Sequence, residues 1–216
     1  MITEISIDTR KLSVPATTRW QQELAQAIRE PADLLQLLAL SHSELAGQIA
    51  AASAFPLRVP RSYVRRMRPG DPADPLLRQV LPLQLETQPH ADYSTDPVGD
   101  LQALAQPGLL HKYQGRALLL ATAACAVHCR YCFRRHFPYS ASEASPGGWQ
   151  PALGHLAASP DIREVILSGG DPLSISDQRL AALVHRLEQI PHLQRLRIHS
   201  RLPVVLPARV DEALTA

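Results

Sequence analysis

The chain has 216 residues, a formal net charge of +2, 45% hydrophobic residues and 19% charged ones. This suits a folded protein with a sizeable core and argues against disorder. The charge is too mild, and the arginines too interleaved with acids, to indicate nucleic-acid or membrane-surface binding. No apolar run reaches the roughly 18–20 residues of a spanning helix, and the start MITEISIDTRK lacks a signal-peptide pattern. The expectation is a cytoplasmic protein whose thiols stay reduced.

From Trp20 to Phe55 the sequence is rich in Leu and Ala at helical spacing, with Pro31 starting one short amphipathic helix and Ser43 capping another. The segment PLRVPRSYVRRMRPGDPADPLLRQVLP predicts short helices and loops packed on a larger body. QPHADYSTDPVGDLQALAQPGLLHKYQGR then reads as a mostly irregular connector up to Arg116. Residues 1–105 are thus expected to form a helical N-terminal extension and connector, and 106–216 a second unit.

After Arg116 the rhythm changes. ALLLAT (117–122) predicts a strand, a cysteine-rich loop follows, and GGWQPALGHLAAS has helical spacing. REVILS (163–168) predicts a second strand, SGGDPL a loop, and DQRLAALVHRLEQI a helix capped by Ser176. LQRLRIHS predicts a third strand, followed by the turn RLP and a further apolar run, VVLP. Such alternation is the pattern of parallel strands joined by crossovers, an α/β fold whose working loops leave the C-terminal ends of the strands.

All three cysteines lie in CAVHCRYCFRRHF, at Cys125, Cys129 and Cys132. C-x3-C-x2-C in one loop can wrap a cubic iron–sulfur cluster, each thiolate holding one iron and leaving the fourth open to a substrate. A zinc site with His128 or His136 as fourth ligand is the alternative at this spacing. A redox C-x-x-C pair at Cys129 and Cys132 would leave Cys125 unexplained.

The cysteine spacing is that of radical S-adenosylmethionine (SAM) enzymes. GLLHKYQGRALLLATAACAVHCRYCFRRHFPY, SGGDPL and RLRIHSRLPVVLPARV, in that order, resemble the lysine 2,3-aminomutase family, nearest to its branch that makes β-lysine for elongation factor P. The likeness runs from about Pro56 to Arg209. It implies the N-terminal part of a TIM-like (β/α) radical SAM barrel, with Cys125, Cys129 and Cys132 holding a [4Fe–4S] cluster whose free iron binds SAM. Gly169, Gly170 and Asp171 match the family's glycine-rich SAM motif, in which Asp171 or neighbouring carbonyls accept from the SAM ammonium. Lys112, Tyr113 and Arg116 stand where the family binds the phosphate of pyridoxal 5′-phosphate (PLP). Arg134 matches the residue that pairs with the carboxylate of substrate lysine, and His199 and Arg201 are candidates for SAM or substrate contact.

The implied reaction moves the amino group of L-lysine from C2 to C3. Its implied partners are an external one-electron reductant and, indirectly, elongation factor P with its lysylating enzyme. One departure stands out: the family's PLP-binding lysine lies late in its chain, whereas the only lysines here are Lys11 and Lys112. The expectation is a truncated chain whose last strand would need another subunit to cover it, hence a homo-oligomer. A PLP-independent radical SAM enzyme and a non-catalytic zinc module are the rival readings.

Overall fold

A computed structural model describes residues 18–50, 55–139 and 148–215. Five strands form one open mixed sheet in the order β1-β2-β3-β4-β5. They are β1 (Leu104–Gln106), β2 (Leu109–Tyr113), β3 (Arg116–Thr122), β4 (Glu164–Gly169) and β5 (Arg195–Ile198). The first three pair antiparallel, with Leu110 opposite Leu118. β3, β4 and β5 pair parallel, with Leu119 opposite Leu167 and Leu167 opposite Ile198.

β3 and β4 follow the apolar runs, whereas the four residues of β5 are exposed. Val165 and Leu167 in β4, with Leu119 in β3, are fully buried, as expected of strands covered on both faces. Between β4 and β5 runs α5 (Asp177–Glu188), after α4 (Gln150–Ala158) between β3 and β4. The Ser176 hydroxyl accepts from the Arg179 N–H, satisfying one free donor of the first turn of α5. Leu180, Leu183 and Leu187 then put one apolar stripe on the sheet.

One expectation is corrected, and one apolar run left unassigned is resolved. The connector before Arg116 is not irregular throughout: β1 and β2 make a meander with β3, turning at Gly108 and Gly115, both at φ +76°, where a side chain would be strained. The run VVLP adds no strand. Leu202–Val205 is a short helix, α6, whose Leu202 and Val205 enter the core. The structure therefore shows a mixed α/β sheet that does not close.

Upstream, α1 (Arg19–Ala25), α2 (Pro31–Leu37) and α3 (Arg61–Val64) bury Trp20, Leu34, Leu35 and Tyr63 in the same core as the sheet residues. The boundary expected at 105/106 falls inside β1. Ser43 does precede a helical turn, a 3-10 segment at Glu44–Gln48, but makes no side-chain cap. Arg209, wholly buried, stacks on Trp20 with its guanidinium 4.6 Å from the ring centre and donates to the Leu173 carbonyl at 2.7 Å. The N-terminal helices are thereby tied to the loop that follows β4.

Candidate active site

The cysteine loop leaves the C-terminal end of β3 and is anchored by buried Ala126 and Val127. Its backbone is braced from the N-terminal region, the His128 N–H donating to the Arg58 carbonyl (3.1 Å) and the Arg130 N–H to the Gln79 carbonyl (2.8 Å). Cys125, Cys129 and Cys132 are all half-buried. They line one cavity of about 610 Å³, within the usual size of a cofactor site. Gly169, Gly170 and Asp171, from the end of β4, line it too, as do His199 and Arg201 from the loop after β5. Arg134 completes the wall.

Gly169 and Gly170 are where the two loops meet. Gly169 has φ +110°, and a Cβ there would lie 2.7 Å from the Thr122 carbonyl oxygen. A Cβ on Gly170 would collide with the Ala124 carbonyl oxygen and stand 2.7 Å from the carbonyl carbon of Ala123. The Gly170 N–H donates to the Thr122 carbonyl (2.7 Å) and the Asp171 N–H to that of Ala124 (2.8 Å). The glycine pair thus lets the cysteine loop lie directly on the end of β4.

The buried Asp171 carboxylate ties the loops together. Oδ1 accepts from the Leu173 N–H (3.0 Å) and the Ser200 hydroxyl (2.6 Å). Oδ2 accepts from the N–H groups of Arg201 (2.7 Å) and Leu202 (3.0 Å). Four donors fill its lone pairs. Of the acceptors expected for the SAM ammonium, the neighbouring backbone carbonyls are the ones left.

Burial pushes the Cys125 thiol up to about 12, with Asp171 and the other two cysteines adding to the rise and Arg58 opposing it. Burial also raises Cys129, against Arg201. Three thiolates packed here need positive charge, which iron supplies by displacing the protons. Among the described residues, no three His, Cys, Asp or Glu side chains converge on one ion. His128 Nδ1 lies 2.8 Å from the Pro56 carbonyl, and its ring stacks on Phe55 at 4.7 Å. Three thiolates from one loop can hold three corners of a cubane and leave the fourth iron open.

A second cavity, of about 250 Å³, is lined by Lys112, Tyr113 and Arg116 from β2 and β3. Phe133 and Arg134 wall both cavities. Lys112 Nζ donates to the Val98 carbonyl, and the Arg116 guanidinium lies 5.8 Å from the Tyr113 ring centre. Two cations and a phenol on one small cavity suit a phosphate. The residues fit the phosphate end of PLP.

Sequence reasoning missed several residues that shape this site. Asp100 pairs with Arg134, Ser168 lies 3.4 Å from Arg134 Nη1, and Gln79 meets Arg201 across 122 positions. No local pattern marks them.

A sheet whose strand ends gather three cysteines and a glycine turn around one cavity defines an iron–sulfur cluster domain of the single-cluster class. A family model described as "4Fe-4S single cluster domain" matches residues 114–196. The chain is 51% identical over 205 residues to the L-lysine 2,3-aminomutase of Escherichia coli (strain K12), covering 94% of this chain and 59% of that protein. It is 48% identical over 193 residues to the L-lysine 2,3-aminomutase of Haemophilus influenzae, covering 89% and 57%. With that of Clostridium subterminale it shares 33% identity over 196 residues, covering 90% and 47%. The chain is thus similar over 89–94% of its own length to proteins named L-lysine 2,3-aminomutase, and spans nearly three fifths of the length of those relatives.

Proposed function

We propose that this chain is the cluster-bearing part of an L-lysine 2,3-aminomutase, an isomerase that converts L-lysine to β-lysine. The observation that carries the reading is the convergence of Cys125, Cys129 and Cys132 with Gly169 and Gly170 on one cavity that shares Arg134 with a cationic second cavity. The three cysteines would hold a [4Fe–4S] cluster, and the backbone around Gly169 and Gly170 would take SAM, with His199 and Arg201 beside it. Bound together, cluster and SAM supply one-electron cleavage and hydrogen abstraction, and PLP supplies an electron sink for nitrogen migration; no side chain offers either chemistry.

The residues present bind, orient and shield. Arg134, buried with Nη1 directed to Ser168, would hold the lysine carboxylate where the two cavities meet. Lys112, Tyr113 and Arg116 would hold the PLP phosphate. Phe133, Leu118 and Val205 give the main cavity apolar walls that keep water from the reacting atoms.

In this reading β3, β4 and β5 begin a (β/α) barrel whose working rim carries the site. Residues 1–105 form the helical extension and connector, packed in one core with the start of the barrel at 106–216. The reductant is an external one-electron donor, and the setting is cytoplasmic. The product serves elongation factor P through a separate lysylating enzyme. Among the described residues no helix is long and apolar enough to cross a membrane.

Anaerobic iron–sulfur reconstitution of the 216-residue chain, followed by electron paramagnetic resonance of the reduced protein, tests the reading. A [4Fe–4S] signal that changes on adding SAM, and is lost when any one of the three cysteines is replaced by Ala, is expected. Zinc in place of iron, or a signal indifferent to SAM, would overturn it.

A further inference from the structure

Gln79 lies far from the cysteines in sequence but is tied to their loop twice. Its carbonyl takes the Arg130 N–H, one residue after Cys129. Its side-chain Nε2 donates to the Pro75 carbonyl at 3.1 Å, which leaves Oε1 facing Arg201. There Oε1 accepts from Arg201 Nη2 at 3.0 Å, with the hydroxyls of Tyr63 and Tyr131 each 3.4 Å away. The other end of the same guanidinium, Nη1, lies 2.6 Å from Cys129 Sγ, and its face stands 5.1 Å from the Tyr131 ring centre.

The guanidinium is therefore held on three sides, by an amide oxygen, an aromatic ring and a sulfur. A planar fork can satisfy all three at once, as a lysine ammonium cannot. The partner amide is neutral, so among these three contacts no carboxylate offsets the positive charge directed at the sulfur. From Arg201, Asp171 takes only the backbone N–H and does not pair with the guanidinium.

Hydrogen bonds to ligand sulfurs are among the factors that set the potential of an iron–sulfur cluster, because they stabilise the more negative, reduced form. We propose that Gln79 is a positioning residue, holding Arg201 against Cys129 so that the N-terminal region of the chain sets the reduction potential of the cluster. This rests on the reading of the three cysteines as cluster ligands.

The test is a potentiometric titration, followed by electron paramagnetic resonance, of the reconstituted chain and of Gln79→Met, Arg201→Met and the double variant, at matched iron content. Both single variants are expected to shift the midpoint to more negative potential. The double variant should match Arg201→Met alone, because Gln79 acts only through Arg201. Gln79→Glu keeps the acceptor but compensates the guanidinium charge, so its midpoint should also fall. It stands in for Gln79→Met should that variant load poorly. A Gln79 variant with an unchanged midpoint, or single shifts that simply add in the double variant, would overturn the proposal. A wild-type chain that assembles no cluster would sink the underlying reading instead, and this one with it.

Discussion

Arg134 Nε donates to Asp100 Oδ2 at 2.7 Å, in a pair with both side chains less than one tenth exposed. It joins the cysteine loop to the segment before β1. Breaking one side of such a pair strands a buried charge, whereas replacing both by apolar groups costs much less. Asp100→Ala is expected to lower stability by about 3–5 kcal/mol. Asp100→Leu with Arg134→Met should recover most of that loss in urea unfolding. Equal losses in the single and double variants would show that the pair is not buried in solution.

Gly170→Ala should act on the cluster before it acts on the fold. Its Cβ would meet the backbone of Ala123 and Ala124, so the cysteine loop must lift from the end of β4. Overpacking of this kind costs about 1–3 kcal/mol. A large fall in iron bound per chain, with far-ultraviolet circular dichroism retained, is the expected result. Normal iron loading would show that the loop tolerates the shift.

Asp171→Asn replaces an acceptor of four hydrogen bonds with a group that can accept on one side only. The loop after β5 loses its hold on the loop after β4. The expected cost is roughly 1.5–3 kcal/mol, as for hydrogen bonds to a charged group. Hydrogen exchange at Arg201 and Leu202 should accelerate while that of the β4 amides is unchanged.

Much of this arrangement is legible in the sequence because its parts are local. The cysteines sit within one loop, Gly169 and Gly170 adjoin, and the apolar runs of β3 and β4 announce themselves. The β1–β2 meander was obscured because its strands are short and carry His111, Lys112 and Tyr113 at half-exposed or exposed positions, although the Pro-Gly and Gln-Gly turn signals flank β2. VVLP illustrates the ambiguity of short apolar runs, which periodicity cannot divide between helix and strand. Asp100, Ser168 and Gln79 earn their places only by contacts across 34 to 122 positions, which no window of sequence contains.

Glu86 gives a pH dependence. Burial works to raise its pKa, but hydrogen bonds from Arg130 and Arg135 outweigh it, and the net shift is downward. Its stabilising contribution is therefore full above the unfolded-state value near 4.3 and is lost as pH falls through the lower folded-state value. Glu86→Gln is expected to be less stable than wild type at pH 7, by roughly 1.5–3 kcal/mol. The difference should narrow in urea titrations below about pH 4. A gap that stays constant with pH would show that Glu86 is not ionised against these arginines.

β3 is the strand at which the sheet changes direction, antiparallel on one side and parallel on the other. Its two neighbours are reached at very different entropic cost. β2 needs only a tight turn, whereas β4 requires closure of the long segment that contains the cysteines and α4. The meander is thus the natural template of folding, and the parallel pairings close afterwards. In pulsed hydrogen exchange during refolding, the Leu120 amide, bonded to the Gly108 carbonyl, should gain protection before that of His199, bonded to Leu167. The cluster pocket is then assembled late, on a sheet already begun, so the thiols remain open to iron until the chain is nearly folded.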